Sequence, residues 1–308
     1  MVTALAAYLE NVRSYLRLDS PSEREVLREL STHLEERAQE LRQEGFSEEE
    51  AAKTATQYLG SPKAIAQQMY QVHSQGSWRQ ALLAAMPHLL LAALFALHVW
   101  QNVSLSLIIM LSILGVAAYG WRHGKPAWLF PWLGYCLVSL IYAGLFLLSL
   151  PKGWALFAFL AYIPLAWWLV SAIAAQAVRR DWLYGSLALL PLPALIGWLV
   201  ALELRGGLSG YEKQHLDDIG SWIALSFLAL AVTAATFIRL RRRLLKTGAL
   251  LSPEILILML AAFSTEGGLG FLGLLALVLL SLGILLSPAL LERRIGHGEG
   301  GQGQHYHR

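Results

Sequence analysis

Apolar residues recur at helical spacing through the first quarter of the chain and then merge into long unbroken runs. From Ala4 to Leu18, the residues Leu5, Tyr8, Leu9, Val12, Tyr15 and Leu16 fall on one helical face. Leu27, Leu30, Leu34, Ala38 and Leu41 form the next stripe, and Gly45 supplies a left-handed stop after it. Ala51, Ala55 and Tyr58 carry a third stripe that ends at Gly60, and Ile65, Met69 and Val72 carry a fourth. The polar residues between them punctuate as helix starts do. Ser20 precedes Pro21 with Glu23 three residues after the cap, Ser47 precedes Glu50 at the same distance, and Ser61–Pro62 opens the fourth segment. A hydroxyl at the cap accepts from an orphan amide, the acid reaches back, and proline sets φ in the first turn. The pattern predicts a small antiparallel helical bundle over residues 1–75.

From Ala81 onward the chain reads differently. A bilayer core needs roughly 20 apolar residues in a helix. Ala81–Trp100, Val103–Tyr119, Trp128–Leu150, Trp154–Val178, Trp182–Ala201 and Ser221–Ile238 are candidate spans. Ala249–Leu286 is too long for one span, and "STEGG" at Ser264–Gly268 divides it in two. Ser252-Pro253-Glu254 reads as the start of its short first half. The predicted fold is all-α. A helical head over 1–75 precedes a membrane bundle of about eight spans over 76–291 and a flexible tail over 292–308.

Composition agrees, since 56% of residues are hydrophobic and 15% charged, against nearly 25% charged in soluble domains. Charge placement then orients the bundle. Through Ser77, twelve acids outnumber eight bases for a net −4, and the remainder carries +7. Arg79, Arg122, Lys125, Arg179, Arg180, Arg239, Arg241, Arg242, Arg243, Lys246, Arg293, Arg294 and Arg308 fall on one side of the predicted spans. Only Lys152, Arg205 and Lys213 fall on the other, among Glu203, Glu212, Asp217, Asp218 and Glu266. Positive charge stays inside, so both termini are expected in the cytoplasm. No basic stretch followed by a short apolar run and a cleavage site opens the chain, so no removable signal is expected. Trp100, Trp128, Trp154, Trp182 and Trp222 stand at span ends as interfacial anchors. A short linker, Val72–Arg79, tethers the acidic head to the basic face. Reversible docking of the acidic head on the basic face of Arg122, Lys125, Arg179, Arg180 and Arg239–Lys246, testable by crosslinks from Glu35, Glu36 or Glu40, is one expectation, and the other is that the charges only solubilise the head and set topology.

The head segment "ELSTHLEERAQELRQEGFSEEEAAKTATQYLGSPKAIAQQM" resembles the HAAS-type (DUF1700-like), or permease prefix, domain. The matching residues are His33-Leu34, Gly45-Phe46-Ser47, Glu50-Ala51-Ala52 and Leu59-Gly60-Ser61-Pro62. The resemblance implies a cytoplasmic regulatory or adaptor module ahead of the membrane region of a bacterial inner-membrane protein. It also implies, as partner beside the lipid bilayer, a PadR-type regulator or another membrane protein.

Chemistry is sparse. No P-loop, GxSxG, HExxH or dinucleotide fingerprint occurs. The single cysteine, Cys136, excludes a disulfide within the chain and is read as a buried thiol. No catalytic, cofactor-binding or metal-binding residue is expected, nor a cofactor, an enzymatic activity or direct nucleic-acid binding. His33 is read as structural. His88, after Pro87, and His98 lie on the first span; His88 is read as a structural histidine that a kink could pair with a freed carbonyl. Glu254 and Glu266 are read as helix-end acids, which leaves no mid-span ion relay. Pro164, Pro191 and Pro193 are expected to kink their spans, and Gly270, Gly273 and Gly283 to permit close packing. The tail, with His297, His305 and His307, reads as disordered. Two stretches remain as working surfaces: "RLRRRLLK" at Arg239–Lys246 and the outer segment Glu203–Gly220. The function expected is membrane-linked signalling or regulation through the head. The alternative is a permease or transporter component gated by it.

Overall fold

Four helices build the head in the computed structural model, which describes residues 2–16, 18, 20–148, 152–205, 213–265 and 270–300. They are α1 (Val2–Tyr15), α2 (Ser20–Gln43), α3 (Glu48–Leu59) and α4 (Pro62–His73). The predicted cap at Ser47 is reciprocal: its Oγ accepts from the Glu50 amide at 3.3 Å, and its own amide donates to Glu50 Oε2 at 3.2 Å. The Ser47 hydroxyl and, after it, the Ser47 amide both donate to the Glu50 carboxylate and lower its pKa from the ordinary value. Ser61 Oγ accepts from the Ala64 amide at 3.3 Å, with Pro62 in the first turn. Gly45 and Gly60 carry φ of 100° and 91°, where a side chain would be strained. The predicted cap at Ser20 lies outside the described side chains.

Leu5, Tyr8 and Val12 of α1 meet Val26, Leu30, Leu34, Ala38 and Leu41 of α2 in one core. Ala51, Ala52 and Ala55 of α3 and Ile65, Ala66 and Tyr70 of α4 close it. The Tyr8 hydroxyl donates to the Gly60 carbonyl at 2.9 Å and ties α1 to the turn before α4. Three predicted core positions are corrected. Tyr58 is 77% exposed beneath the Arg37 guanidinium, and Tyr15 and Val72 are exposed. On α3 three alanines take the inward face, because small side chains bring the helix close to α2.

The body comprises α5 (Trp78–Ala96), α6 (Val103–Arg122), α7 (Leu129–Leu148), α8 (Lys152–Arg180) and α9 (Trp182–Leu189). It continues with α10 (Pro191–Leu204), α11 (Lys213–Arg239), α12 (Arg243–Phe263) and α13 (Phe271–Gly300). The chain is all-helical among the described residues. Six stretches are long and apolar enough to cross a membrane: Trp78–Ala96, Ser104–Arg122, Trp182–Leu204, Asp218–Arg239, Arg243–Phe263 and Phe271–Leu291. Within the described residues α7 and α8 add shorter apolar stretches, Leu129–Leu140 and Leu160–Ile173. Trp182–Leu204 consists of α9 and α10 in series, broken where Pro191 lacks the amide that would continue the ladder.

The divided segment forms two helices as expected, but the first starts earlier. Pro253 lies inside α12. A backbone group left unpaired in hydrocarbon costs several kcal/mol, so the helix runs through a motif that would start one in water. Glu254 therefore stands mid-helix and buried. At the far end α13 continues to Gly300, past the predicted end of the bundle at 291.

Leu129, Phe130, Trp132 and Leu133 of α7 pack with Leu183 and Leu187 of α9, Phe227 and Leu230 of α11 and Ile257 of α12. Helices α5 and α11 lie against each other along their lengths. Leu107, Ile108, Leu111, Phe157, Trp167, Val232 and Leu279 face outward, an apolar surface suited to lipid. Close approaches occur at glycines that were not predicted. A Cβ at Gly134 would overlap the Ala188 carbonyl, and one at Gly197 would stand 2.8 Å from Leu258 Cδ2. At Gly270 and Gly283 a Cβ would meet open space, because neither position faces a neighbouring helix closely. Trp128, predicted as an interfacial anchor, belongs to the core instead.

Side-chain bonds sort the helix ends. Arg239 stacks on Trp78 at 4.5 Å and Arg243 pairs with Asp181 at 2.7 Å. This places the starts of α5, α9 and α12 beside the end of α11. Arg205 Nε donates to the Ser264 carbonyl at 2.7 Å, and Gly220 faces Phe95. The ends of α5, α10 and α12 thus gather at the opposite pole. Glu266, residues 206–212 of the outer segment, and His305 and His307 lie outside the described residues, as does the side chain of His297.

Candidate functional site

The head joins the body through Ser74–Ser77. The Ser74 amide donates to the Tyr70 carbonyl at 2.9 Å and ends α4. Ser77 starts α5, its Oγ accepting from the Gln80 amide at 3.3 Å and its amide donating to Gln80 Oε1 at 3.0 Å. Between two finished helices the linker needs partners from elsewhere. The corner between α11 and α12 supplies them. The Gly76 amide donates to the Ile238 carbonyl at 2.9 Å, and Arg239 Nη1 donates to the Gly76 carbonyl at 2.9 Å. Ser74 Oγ donates to the Arg241 carbonyl at 3.2 Å, and Arg241 Nε donates to Gln75 Oε1 at 2.6 Å. The backbones lie so close that a Cβ on Gly76 would overlap Ile238 Cγ2.

Lys246 anchors the corner. It is 1% exposed, and its Nζ donates to the Ser74 carbonyl at 3.3 Å. Its ammonium lies 5.0 Å from the Phe237 ring, 5.5 Å from Tyr70 and 5.8 Å from Tyr184. A buried cation is costly unless paired, and cation–π attraction strengthens where water is excluded. The groups that hold it come from the head, the linker, α9 and α11 together. Asp181, fully buried, binds Arg243 and accepts the Leu183 amide at 3.3 Å as the cap of α9. Corner, linker and α9 form one polar seam.

The head meets the Arg239–Lys246 corner through α4 and the linker, while three acids of α2 have partners on α2 itself. Glu35 accepts from Ser31 at 3.0 Å, Glu40 pairs with Arg37 at 2.7 Å, and Glu36 lies 3.6 Å from His33. The short tether brings α4 to the corner, and with it Lys63, Gln67 and Tyr70.

A second polar cluster lies inside the body. Pro87 cannot bond the Leu83 carbonyl, which accepts instead from Trp132 Nε1 at 2.8 Å. His88, expected to take such a carbonyl, has its Nδ1 2.6 Å from the Tyr135 hydroxyl. His88 and Glu254 are buried, and neither His88 Nε2 nor the Glu254 carboxylate has a hydrogen-bond partner among the described residues. The reading of Glu254 as a helix-end acid is thereby corrected; its signal was the apolar flank on both sides, Leu250, Leu251, Ile257 and Leu258. Cys136 is buried. Among the described residues no group of three His, Cys, Asp or Glu is placed to hold a metal ion.

The family model of the HAAS domain matches residues 7–68, which hold most of the core of the four-helix head. The head is a HAAS-type helical domain. No curated protein and no solved structure matches the chain.

Releasing the linker should expose it. In the full-length protein, Gly76→Val and Lys246→Ala should each speed trypsin cleavage at Arg79 about tenfold or more. A buried carbonyl left unpaired costs about 1–3 kcal/mol, and 1.4 kcal/mol is tenfold in population. Cleavage at the wild-type rate in both variants would show that these contacts do not hold the linker.

Proposed function

We propose that this chain is a regulatory multi-pass protein of a bacterial inner membrane, with its head and both termini in the cytoplasm. The HAAS-type head and the apolar helices support the class, and the basic residues at one pole of the body support the orientation. The body is read as eight spans, with α9 and α10 together as one and α7 and α8 completing the set. One observation carries the regulatory role: the linker from Ser74 to Gly76 is bonded to the α11–α12 corner, so a displaced head must pull on α11 and α12. The partner we infer is a PadR-type regulator or another membrane protein that engages the head. The role is recognition and coupling, with no enzymatic step.

The second reading is a permease component gated by the head. It is favoured by two buried ionisable groups on the apolar helices, Glu254 and the His88 bonded to Tyr135, since ionisable groups inside a bundle commonly mark ion or substrate paths.

Hydrogen exchange on the full-length protein tests the coupling. Gly76→Val should raise exchange not only in the linker but along α5 and α11. Protection unchanged beyond residue 80 would rule out transmission through the junction. Reporter fusions after Lys246 and at the C-terminus should both read cytoplasm, and a periplasmic C-terminus would eliminate the eight-span arrangement. For the second reading, proteoliposomes should show a proton flux that Glu254→Gln abolishes; no flux from the wild type removes it.

A further inference from the structure

Beside the corner, Tyr15 of α1 and Lys63, Gln67 and Tyr70 of α4 face Arg241–Leu244 across a cavity of about 650 Å³. Its wall carries four cations, Lys63, Arg241, Arg242 and Arg243, and no carboxylate among the described residues. Asp181 offsets Arg243 from outside that wall, and Arg241 is bonded to the neutral Gln75. Lys63 belongs to the head and the arginines to the body, so the fold brings like charges of two domains across one opening. Such a juxtaposition costs free energy. It arises although the head carries twelve acids that could have faced the arginines. An anion between them turns the repulsion into attraction.

The backbone points the same way. Helix α12 starts at Arg243, and Arg242 occupies its cap position in extended conformation without a side-chain cap. The first bond to that cap is Lys246 amide to Arg242 carbonyl, 3.1 Å, so the positive end of the helix lies at the cavity wall. Leu244 is 87% exposed and Leu245 also exposed beside it, apolar side chains at the rim of a basic pocket on the membrane face. A cavity of this size matches ordinary ligand sites of about 300–1,000 Å³ and far exceeds one inorganic phosphate.

We propose that this cleft binds a phosphate-bearing anion and that its occupant is the headgroup of an anionic phospholipid, clasped between Lys63 of the head and Arg241–Arg243 of the body. Arginines chelate the phosphate oxygens, α12 directs its first amides at them, and Leu244 and Leu245 meet the acyl chains. The cleft adds a ligand to the junction and does not depend on the regulatory role. Binding is read directly, so its absence leaves that role to the exchange experiment.

The test uses the full-length protein in detergent, with bound lipid counted by native mass spectrometry. Phosphatidylglycerol should be retained at least tenfold over phosphatidylcholine. Lys63→Gln with Arg242→Gln should lower retention about tenfold, while Arg122→Gln with Lys125→Gln, which removes equal charge at the end of α6, should leave it. Lys63→Gln alone, on an exposed turn of α4, should lose several-fold with an unchanged melting temperature, which separates the site from the fold. Inorganic pyrophosphate, titrated in parallel, distinguishes the sources: binding that the cleft variants abolish, without a lipid preference, would overturn the headgroup assignment in favour of a soluble phosphate. Equal losses in both charge-pair variants would mean diffuse surface charge, and no binding of either probe would reject the site.

Discussion

One buried ammonium holds the two halves of this protein in register. Lys246 lies on the helix that follows the corner, yet the groups that make its burial tolerable belong to other parts of the chain. Tyr70 comes from the end of the head, the Ser74 carbonyl from the linker, Tyr184 from α9 and Phe237 from α11. If any of these moves away, a charge is left in a dry place, and the desolvation of an unpaired ion outweighs an ordinary packing contact. The head is therefore held by a specific polar seam, and general attraction between its acids and a basic membrane face is not what positions it. Arg243 extends the seam to Asp181 and so to the start of α9.

Inside the body the same rule, that a polar group in an apolar medium must find a partner, explains the irregular places. Pro87 frees a carbonyl, and Trp132 of α7 takes it, which fastens α5 to α7. Pro191 breaks one span into α9 and α10, and Ser186 in α9 donates to the Leu285 carbonyl of α13 at 2.6 Å. Trp198 donates to Ser226 at 3.1 Å and links α10 to α11. Glu254 departs from that rule: among the described residues both of its carboxylate oxygens are buried without a hydrogen-bond partner, as is His88 Nε2, and this sets these groups apart from the fastenings around them.

Much of the architecture was legible in local pattern. The head showed itself because each helix carries its own start signal, a hydroxyl with an acid three residues on or a proline behind it, and those bonds form within a few residues of chain. Span-length runs were legible because the hydrophobic thickness of a bilayer imposes an unbroken apolar length, which the equally long but polar-faced α2 lacks. Charge asymmetry predicted which helix ends share a pole, and the Arg239–Trp78 and Arg243–Asp181 contacts put those ends together. Where local signals misled, a tertiary contact or the apolar surroundings outweighed them. Ser252-Pro253-Glu254 has the form of a helix start and lies inside α12, and Gly270 and Gly283 resemble packing glycines but face open space.

By itself, then, the sequence determined the class of each segment: a charged helical head, apolar helices of membrane length, and a concentration of positive charge at one pole. These depend on periodicity, capping and transfer energy, which act over a turn or two of helix. Only the tertiary structure decided which partner each charge meets. Lys63 and Arg241–Arg243 stand far apart in the chain and share one cavity, and Lys246, one of eight residues in an ordinary basic run, is the one that is buried. No local rule separates it from its neighbours, because the difference lies in the aromatic rings that three other helices bring to it.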